Sequence, residues 1–523
     1  MGSVLADLRV RVLILAAVYF VTAKLGLELA IDPGNATILW APTGISLAAL
    51  VLFGIRLWPG VALGAFVANA TTDVSLVAAG AIAVGNTLEA VVGASLLRRM
   101  GFSTGLDRLR DVGVLIVAAL VSTMVSATIG AGTLWLSGAA PFTDLDAQWT
   151  VWWVGDVMGA LLVAPLLLVW LQKPLGPVAP RRIAEAVAVG AAISVLGWTA
   201  FYDANIVTSY LALPLLIWAA LRFRQHGAVS AVLLFAGIGV WATVAGKTPF
   251  GGDNVVESVG ILQAVMAANA IGTLSLAATL AERQRADELK DTFMHMVVHD
   301  LRGPIVAIIG MATAIRDRGE QIDAEQRSTY LGTITRASMR LSRLLDSVLF
   351  RSQIQQGKLP IRKSPTEVAP VLNEILTELG FSDVSVDCPE GVAALIDRRH
   401  LEHILINYLS NAHKYGRPPI QVDVRQQGEF VELCVSDSGR GVAHEFVSHL
   451  FERFTRGGEA PEGSGSGLGL SIVGELARAH GGAAWYEPNE PSGSSFFIRL
   501  PAARADRSAK SRVEVAGGAL SLL

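Results

Sequence analysis

Residues 293–309 read FMHMVVHDLRGPIVAII. Apolar residues at Phe293, Val297, Pro304, Ile308, Met311 and Ile315, with Leu301 alongside, recur at helical spacing and predict an amphipathic helix. His299 stands two positions past Val297 and five before Pro304. At about 100° per residue this turns it away from the apolar stripe. An imidazole on the wet face, beside the Asp300 carboxylate, is equipped to act as a nucleophile.

Working outward, the chain has 523 residues, 52% hydrophobic and 17% charged, with a mean hydropathy of +0.48. That length exceeds one ordinary domain, and the apolar bias is that of a membrane protein. A net charge of -3 carries no signature of nucleic-acid binding. Cys388 and Cys434 both lie in the polar C-terminal half. Two isolated cysteines define neither a metal site nor a disulfide framework, which places that half in the cytosol. The first apolar run has no small-x-small cleavage site after it and is read as a retained span.

Apolar blocks separated by polar breaks occupy residues 9–30, 38–55, 57–72, 76–97, 111–137, 149–171, 183–202, 206–221, 227–246 and 258–281. They predict a polytopic α-helical membrane domain of about eight to ten transmembrane helices, the third and eighth blocks being short enough to be re-entrant. Basic residues fall on every second break: Arg9 and Arg11, Arg56, then Arg98, Arg99, Arg108 and Arg110, then Lys173, Arg181 and Arg182, then Arg222 and Arg224. The positive-inside rule then puts both the N-terminus and the C-terminal half on the cytoplasmic side. Lys24, Glu28, Asn86, Glu89 and Asp156 are polar groups within spans. Either they form a signal or ligand site, with Asp156 and Glu89 as the foremost candidates, or they hydrogen-bond helix to helix. Trp40, Trp58, Trp149, Trp152 and Trp153 lie near span ends, as interface anchors do.

Three patterns stand out in this region: Trp40, Pro42, Thr43 and Gly44; Arg56, Trp58, Pro59 and Gly60, with Asn69; and Gly155, Asp156, Gly159 and Pro165. Together they resemble the MASE-type membrane-associated sensor domains of bacteria, over most of residues 10–280. The resemblance implies sensory input through the membrane and names no ligand.

Residues 281–292, AERQRADELKDT, are charged and helix-favouring. They are read as the last span running on into the His299 helix, either transmitting a shift or rotation or serving as a passive solvated linker. After a turn at Gly319, a second stripe follows at Tyr330, Ile334, Ala337, Leu341, Leu344 and Val348. Two such helices cannot bury both stripes alone, which predicts a homodimer through a four-helix bundle built of two helical hairpins. From about residue 360 helices at 366–379 and 398–415 alternate with strands at 384–387, 392–396, 420–426, 429–436 and 494–500. That predicts an α/β sandwich with one sheet covered by helices on one face. Residues 504–523 lack apolar periodicity and are read as a flexible C-terminal tail.

In HILINYLSNAHKYG, residues 403–416, Asn407, Asn411 and Lys414 share the face opposite Ile404, Leu405, Leu409 and Ala412. A neutral amide oxygen suits Mg²⁺, which takes few protein ligands and several phosphate and water oxygens. In SDSGRGV, residues 436–442, Asp437 ends a strand and precedes Gly439 and Gly441, a carboxylate on a tight turn. FERFTRG, residues 451–457, offers Arg453 and Arg456 beside Phe451 and Phe454. In GSGSGLGLSIVGELARAHGG, residues 463–482, Gly463, Gly465, Gly467 and Gly469 alternate ahead of an amphipathic helix, whose amides can bind phosphate. It is neither a Walker loop nor a Rossmann fingerprint.

HDLRGP resembles the phosphoacceptor box of histidine kinases, and the four downstream stretches resemble, in order, the N, G1, F and G2 boxes of GHKL (Bergerat) ATPases. The resemblance covers residues 285–502 and implies a MASE-type sensor histidine kinase with a HisKA dimerisation domain and a HATPase domain. By that match His299 is phosphorylated and Asp300 assists it. Asn411 is the Mg²⁺ ligand, Asn407 an auxiliary contact, Lys414 a phosphate contact and Tyr415 part of the adenine wall. Asp437 takes the adenine amine beside Gly439 and Gly441, Arg453 serves the lid, and Gly465, Gly467, Leu468 and Gly469 receive phosphate. ATP and Mg²⁺ are the implied cofactors, and an Asp of a separate response regulator the implied acceptor. The expected domains are 1–281 membrane sensor, 282–357 signalling helix and HisKA, 358–503 HATPase and 504–523 tail. One departure is Gly303. Family members that dephosphorylate their partner usually carry Thr or Asn three residues after the acid, so weak phosphatase activity is expected.

Overall fold

The computed structural model of the chain describes residues 7–29, 37–139, 141–172, 176–202, 206–247, 255–318, 321–355, 361–452, 469–490 and 492–503. Two compact units divide it, Met1–Leu289 and Lys290–Leu523.

The first unit is helical: α1 (Leu8–Glu28), α2 (Ala41–Phe53), α3 (Trp58–Ala70), α4 (Leu76–Arg99), α5 (Leu109–Leu136), α6 (Leu145–Gln172), α7 (Pro180–Tyr202), α8 (Ile206–Val244) and the beginning of α9 (Val255–Arg318). Among the described residues seven of these, α1 and α4 to α9, are long and apolar enough to cross a membrane. α2 and α3 have 13 residues each. The expected span at 38–55 is therefore corrected: α2 falls short of the ~20 residues a crossing needs. Its length is cut at both ends. Trp40 N–H donates to the Gly155 carbonyl at 3.0 Å, which holds the residues before the helix against α6. Pro42 sits in the first turn, and Gly54 ends the helix at φ 107°. The two expected spans at 206–221 and 227–246 lie within α8, which is broken at Arg224 (φ 57°, ψ -141°).

α2 and α6 approach closely because small residues face each other. A side chain on Gly44 would collide with the Gly159 carbonyl, and one on Gly159 with the Trp40 carbonyl. Around this seam Tyr19, Ile38, Leu50, Leu115, Leu162 and Leu168 form a buried core.

The second unit holds the end of α9 and α10 (Ala324–Gln355), then β1 (Ser364–Glu367), α11 (Val368–Leu379), β2 (Val384–Asp387), β3 (Ala393–Ile396), α12 (Arg398–Tyr415), β4 (Ile420–Gln427), β5 (Phe430–Asp437), α13 (His444–Val447), α14 (Gly469–Ala479), β6 (Ala483–Pro488) and β7 (Ser494–Pro501). The main sheet has the order β2-β4-β5-β7-β6. β2 runs parallel to β4 and the other neighbours are antiparallel. Val422, Val424, Leu433, Val435, Ile498 and Leu500 alternate onto one face, where they pack with Leu372 of α11, Leu405 of α12 and Val473 of α14. Two expectations change here. β3 leaves the main sheet for a separate ladder with β1, and β6 is an additional edge strand. The expected tail, 504–523, and the Gly319 turn lie outside the described residues.

Candidate nucleotide and phosphoacceptor site

On α9 the His299 side chain is 76% exposed, whereas Asp300 is 9% exposed. Val297, Leu301, Ile308, Met311 and Ile315 are half-buried and Pro304 is buried, so the stripe faces inward as its spacing requires. His299 Nδ1 lies 3.3 Å from Asp300 Oδ1, and that leaves Nε2 pointing away from the carboxylate. Asp300 Oδ2 is buried without a hydrogen-bond partner among the described residues. The helix continues through Pro304. Its missing N–H frees the Asp300 carbonyl, the residue four earlier.

α12 begins at the Asp397 cap, whose side chain accepts from Arg399 N–H at 3.0 Å. His400, Leu401, Ile404, Leu405, Tyr408, Leu409 and Ala412 form its buried face. Asn407 and Asn411 are half-buried and Lys414 and Tyr415 exposed on the other side. Asn407 Nδ2 donates to the His403 carbonyl at 2.8 Å. Its Oδ1 lies where a side chain on Gly469 would have to go, so the start of α14 sits directly on the α12 amide face. The Lys414 ammonium is pushed below the usual lysine range by partial burial and by Arg340, while Asp300 pulls the other way. Lys414 on α12 thus stands within reach of the Asp300 charge.

Asp437 closes β5 and is 5% exposed. Its Oδ1 accepts from Gly439 N–H at 2.7 Å. Burial raises its pKa, and the Gly439 and Ser494 backbone N–H groups oppose the rise by stabilising the ionised form. The backbone of this turn is braced from elsewhere. Asn489 Nδ2 donates to the Asp437 carbonyl at 3.0 Å, and Ser495 Oγ fixes Asn489 by donating to its Oδ1 at 2.7 Å. Val442 N–H donates to the Tyr486 hydroxyl at 3.2 Å. Gly439 packs against Gly416 and the Tyr415 carbonyl, which joins the turn to the end of α12. Gly441 takes φ 75°.

Asn407 is therefore brought against Gly469, and Asp437 and Gly439 against the end of the same helix at Tyr415 and Gly416. Phe451 packs on the core of this unit. Arg453, Gly465, Gly467 and Leu468 lie outside the described residues. Sequence reading missed Gly416, Tyr486, Asn489, Gly493 and Ser495. For Asn489 and Gly493 the signal was the Asn-Glu-Pro-Ser-Gly sequence at 489–493, whose use depends on β7 lying between β5 and β6. A cavity of about 670 Å³ lies on the other sheet face, lined by Gln421, Asp423, Glu432, Cys434 and Phe497 and also by Asn489 and Ser495, but not by Asn407, Asp437, Gly439 or Gly469.

The MASE1 family matches residues 11–284 of the 523-residue chain. The chain belongs to the MASE1 family. Behind this MASE1 domain, residues 289–357 match the His Kinase A (phospho-acceptor) domain. Residues 396–504 match the histidine kinase-, DNA gyrase B- and HSP90-like ATPase domain. The MASE1 chain is similar to the sensor protein KdpD of Clostridium acetobutylicum, 29% identical over 42% of this chain and 25% of that protein. It is also similar to the signal transduction histidine-protein kinase AfsQ2 of Streptomyces coelicolor, 28% identical over 43% of each. The chain thus spans less than half the length of these relatives. Among solved structures, the Acinetobacter baumannii histidine kinase AdeS aligns over 39% of this chain and 97% of its own at 23% identity, with a TM-score of 0.29. The MASE1 chain thus joins a region whose described residues include seven helices long and apolar enough to cross a membrane to a His Kinase A domain and an ATPase domain.

Proposed function

We propose that this MASE1 protein is a sensor histidine kinase that phosphorylates its own His299 from ATP·Mg²⁺ and passes the phosphoryl group to an Asp of a separate response regulator. The observation that carries the reading is that one unit joins an outward-facing imidazole, backed by a buried carboxylate, to a strand-end Asp and a paired amide face. In the proposed step Nδ1 carries its proton toward Asp300. The Nε2 lone pair forms the N–P bond as the bond from the γ-phosphorus to the ADP oxygen breaks.

Asp437 accepts from the adenine amine, and Tyr415 walls the base. Asn407 and Lys414 contact phosphate, and Gly465, Gly467, Leu468 and Gly469 supply backbone donors. Arg453 reaches the phosphates from the lid. Asn411 fits a hard cation: it presents a neutral oxygen on the face that Asn407 and Gly469 share. Bound there, Mg²⁺ offsets phosphate charge.

Exposed Val298, Ile305 and Ile309 on α9 and Leu331, Leu345 and Leu349 on α10 support a homodimer through a four-helix bundle. We further propose the domain division 1–281, 282–357, 358–503 and 504–523. The alternation of basic breaks supports a bacterial cytoplasmic membrane location with the kinase on the cytoplasmic side. Gly303 supports weak phosphatase activity. Incubation with γ-labelled ATP tests the reading: wild type acquires acid-labile label, and Asn411→Ala retains little. Label surviving in His299→Gln contradicts the assignment.

A further inference from the structure

The first unit contains a polar site that the kinase chemistry does not use. Asp156 on α6 is fully buried and Glu89 on α4 is 3% exposed. Thr43 Oγ1 on α2 donates to Asp156 Oδ1 at 3.1 Å. Thr43 and Ser126 on α5 stand near both carboxyls, and Trp152 near Asp156. Asn86 Nδ2 donates to the Tyr19 hydroxyl of α1 at 2.9 Å, and Ser126 Oγ donates to Asn86 Oδ1 at 2.7 Å. The groups around the two acids are thus Tyr19 from α1, Thr43 from α2, Ser126 from α5 and Trp152 from α6, with Asn86 of α4 bonded to Tyr19 and Ser126. None of them is a cation.

Two carboxylates cannot both stay charged in such surroundings without compensation. Glu89 Oε1 and Asp156 Oδ2 are buried with no hydrogen-bond partner among the described residues. A divalent cation takes about six or more oxygens, from protein or water, and no cluster of three or more metal-ligating side chains is found among the described residues. A proton needs two, and a protonated carboxyl becomes a donor that gives an orphaned oxygen its partner.

The site also touches the output helix. The residues leading into Thr43 are wedged on α6, where Trp40 N–H donates to the Gly155 carbonyl at 3.0 Å. Gln263 Nε2 on α9 donates to the Ile38 carbonyl of that same stretch at 3.0 Å. Farther along, Arg285 on α9 pairs with buried Asp107 in the connection between α4 and α5. α9, the helix that carries His299, is therefore held by the stretch that bonds Asp156 and by the connection that follows the Glu89 helix.

We propose that Glu89 and Asp156 form a binding site for an exchangeable proton, and that its loss shifts the Ile38–Thr43 stretch against Gln263 and so changes kinase output. Charging both acids sets like charges against each other across α4 and α6 and tightens the Thr43 hydrogen bond, so that movement of Asp156 carries the stretch with it. The kinase readout rests on the proposed function, but the proton site itself does not.

The experiment uses the full chain in lipid nanodiscs. Infrared difference spectra between acid and alkaline pH are expected to show a protonated-carboxyl band that disappears in Asp156→Asn and in Glu89→Gln. ATP-dependent labelling of His299 is expected to change roughly fivefold over the same pH range in wild type. That change is lost in both acid variants. Gln263→Leu keeps the carboxyl band and loses the labelling change, which separates coupling from folding. A band that survives in the Asp156→Asn, Glu89→Gln double variant, or a response to Na⁺ at fixed pH in place of the band, overturns the proposal. So does a labelling profile identical in wild type and variants. Absence of label at every pH contradicts the kinase reading and leaves the infrared result to decide the proton site.

Discussion

Asp437 and Asp156 are both buried carboxylates, at 5% and 0% exposure, yet their surroundings differ in kind. Asp437 sits at a strand end, where backbone N–H groups of Gly439 and Ser494 favour its charge and Asn489 pins its carbonyl. Such a group is pre-set to receive a ligand from outside. Asp156 sits among helices, with one oxygen served by Thr43 and the other unserved. It is suited to a ligand small enough to live inside the packing. At these two acids, backbone donors satisfy the Asp437 turn, and an unserved oxygen marks the Asp156 site.

The sharpest way to break this contrast is to exchange the roles. Asp437→Ala is expected to weaken nucleotide binding about a hundredfold, from loss of a charged acceptor worth about 3 kcal/mol, while Asp156→Asn leaves nucleotide affinity unchanged. Calorimetric titration with a non-hydrolysable ATP analogue measures both. Equal losses in the two variants would dissolve the distinction.

A smaller effect is expected at the brace. Asn489→Ala removes the donor to the Asp437 carbonyl and lowers nucleotide affinity about tenfold, on the order of 1.4 kcal/mol. The domain stays folded, because the apolar core beneath is intact.

The buried histidines sharpen the comparison from the side of stability. Burial pushes His403 and His480 from 6.5 down to about 4, and His400, whose Nδ1 lies 2.8 Å from His480 Nε2, is lowered too. Their folded-state values lie below the unfolded one, so the unfolded chain takes up protons first as pH falls. The stability they contribute is complete above about pH 6.5 and is lost progressively toward pH 4. Urea unfolding followed by Trp485 fluorescence should show a falling midpoint across that window, and a flat midpoint would contradict it. Smallest of all, Arg398→Ala breaks exposed pairs with Glu374 and Glu402 and should cost under about 1 kcal/mol.

What was readable beforehand follows the same division. α12 and strands β4, β5 and β7 were legible because apolar period and burial coincide along each. β1 was not: its Ser-Pro start and single buried residue give no alternation. β6 was hidden because it is an edge strand that ends in Pro488 and buries no residue fully. In the first unit the apolar blocks were plain, but the shortness of α2 depends on Trp40 bonding to Gly155, a contact that sequence distance conceals. At the candidate site, His299, Asp300, Asn407 and Asp437 were singled out through the resemblance of their stretches to the phosphoacceptor, N and G1 boxes. Asn489 and Ser495 were not, since they reach Asp437 only through strand order, with Asn489 bonded across 52 residues of chain.

The most direct test of the central claim is to locate the phosphoryl group itself. Full-length protein phosphorylated with ATP, digested under neutral conditions and mapped by tandem mass spectrometry should carry the group on His299 Nε2, and His299→Gln should carry none. A phosphoryl group on His295, on any other residue, or on no residue at all despite bound ATP would contradict the account.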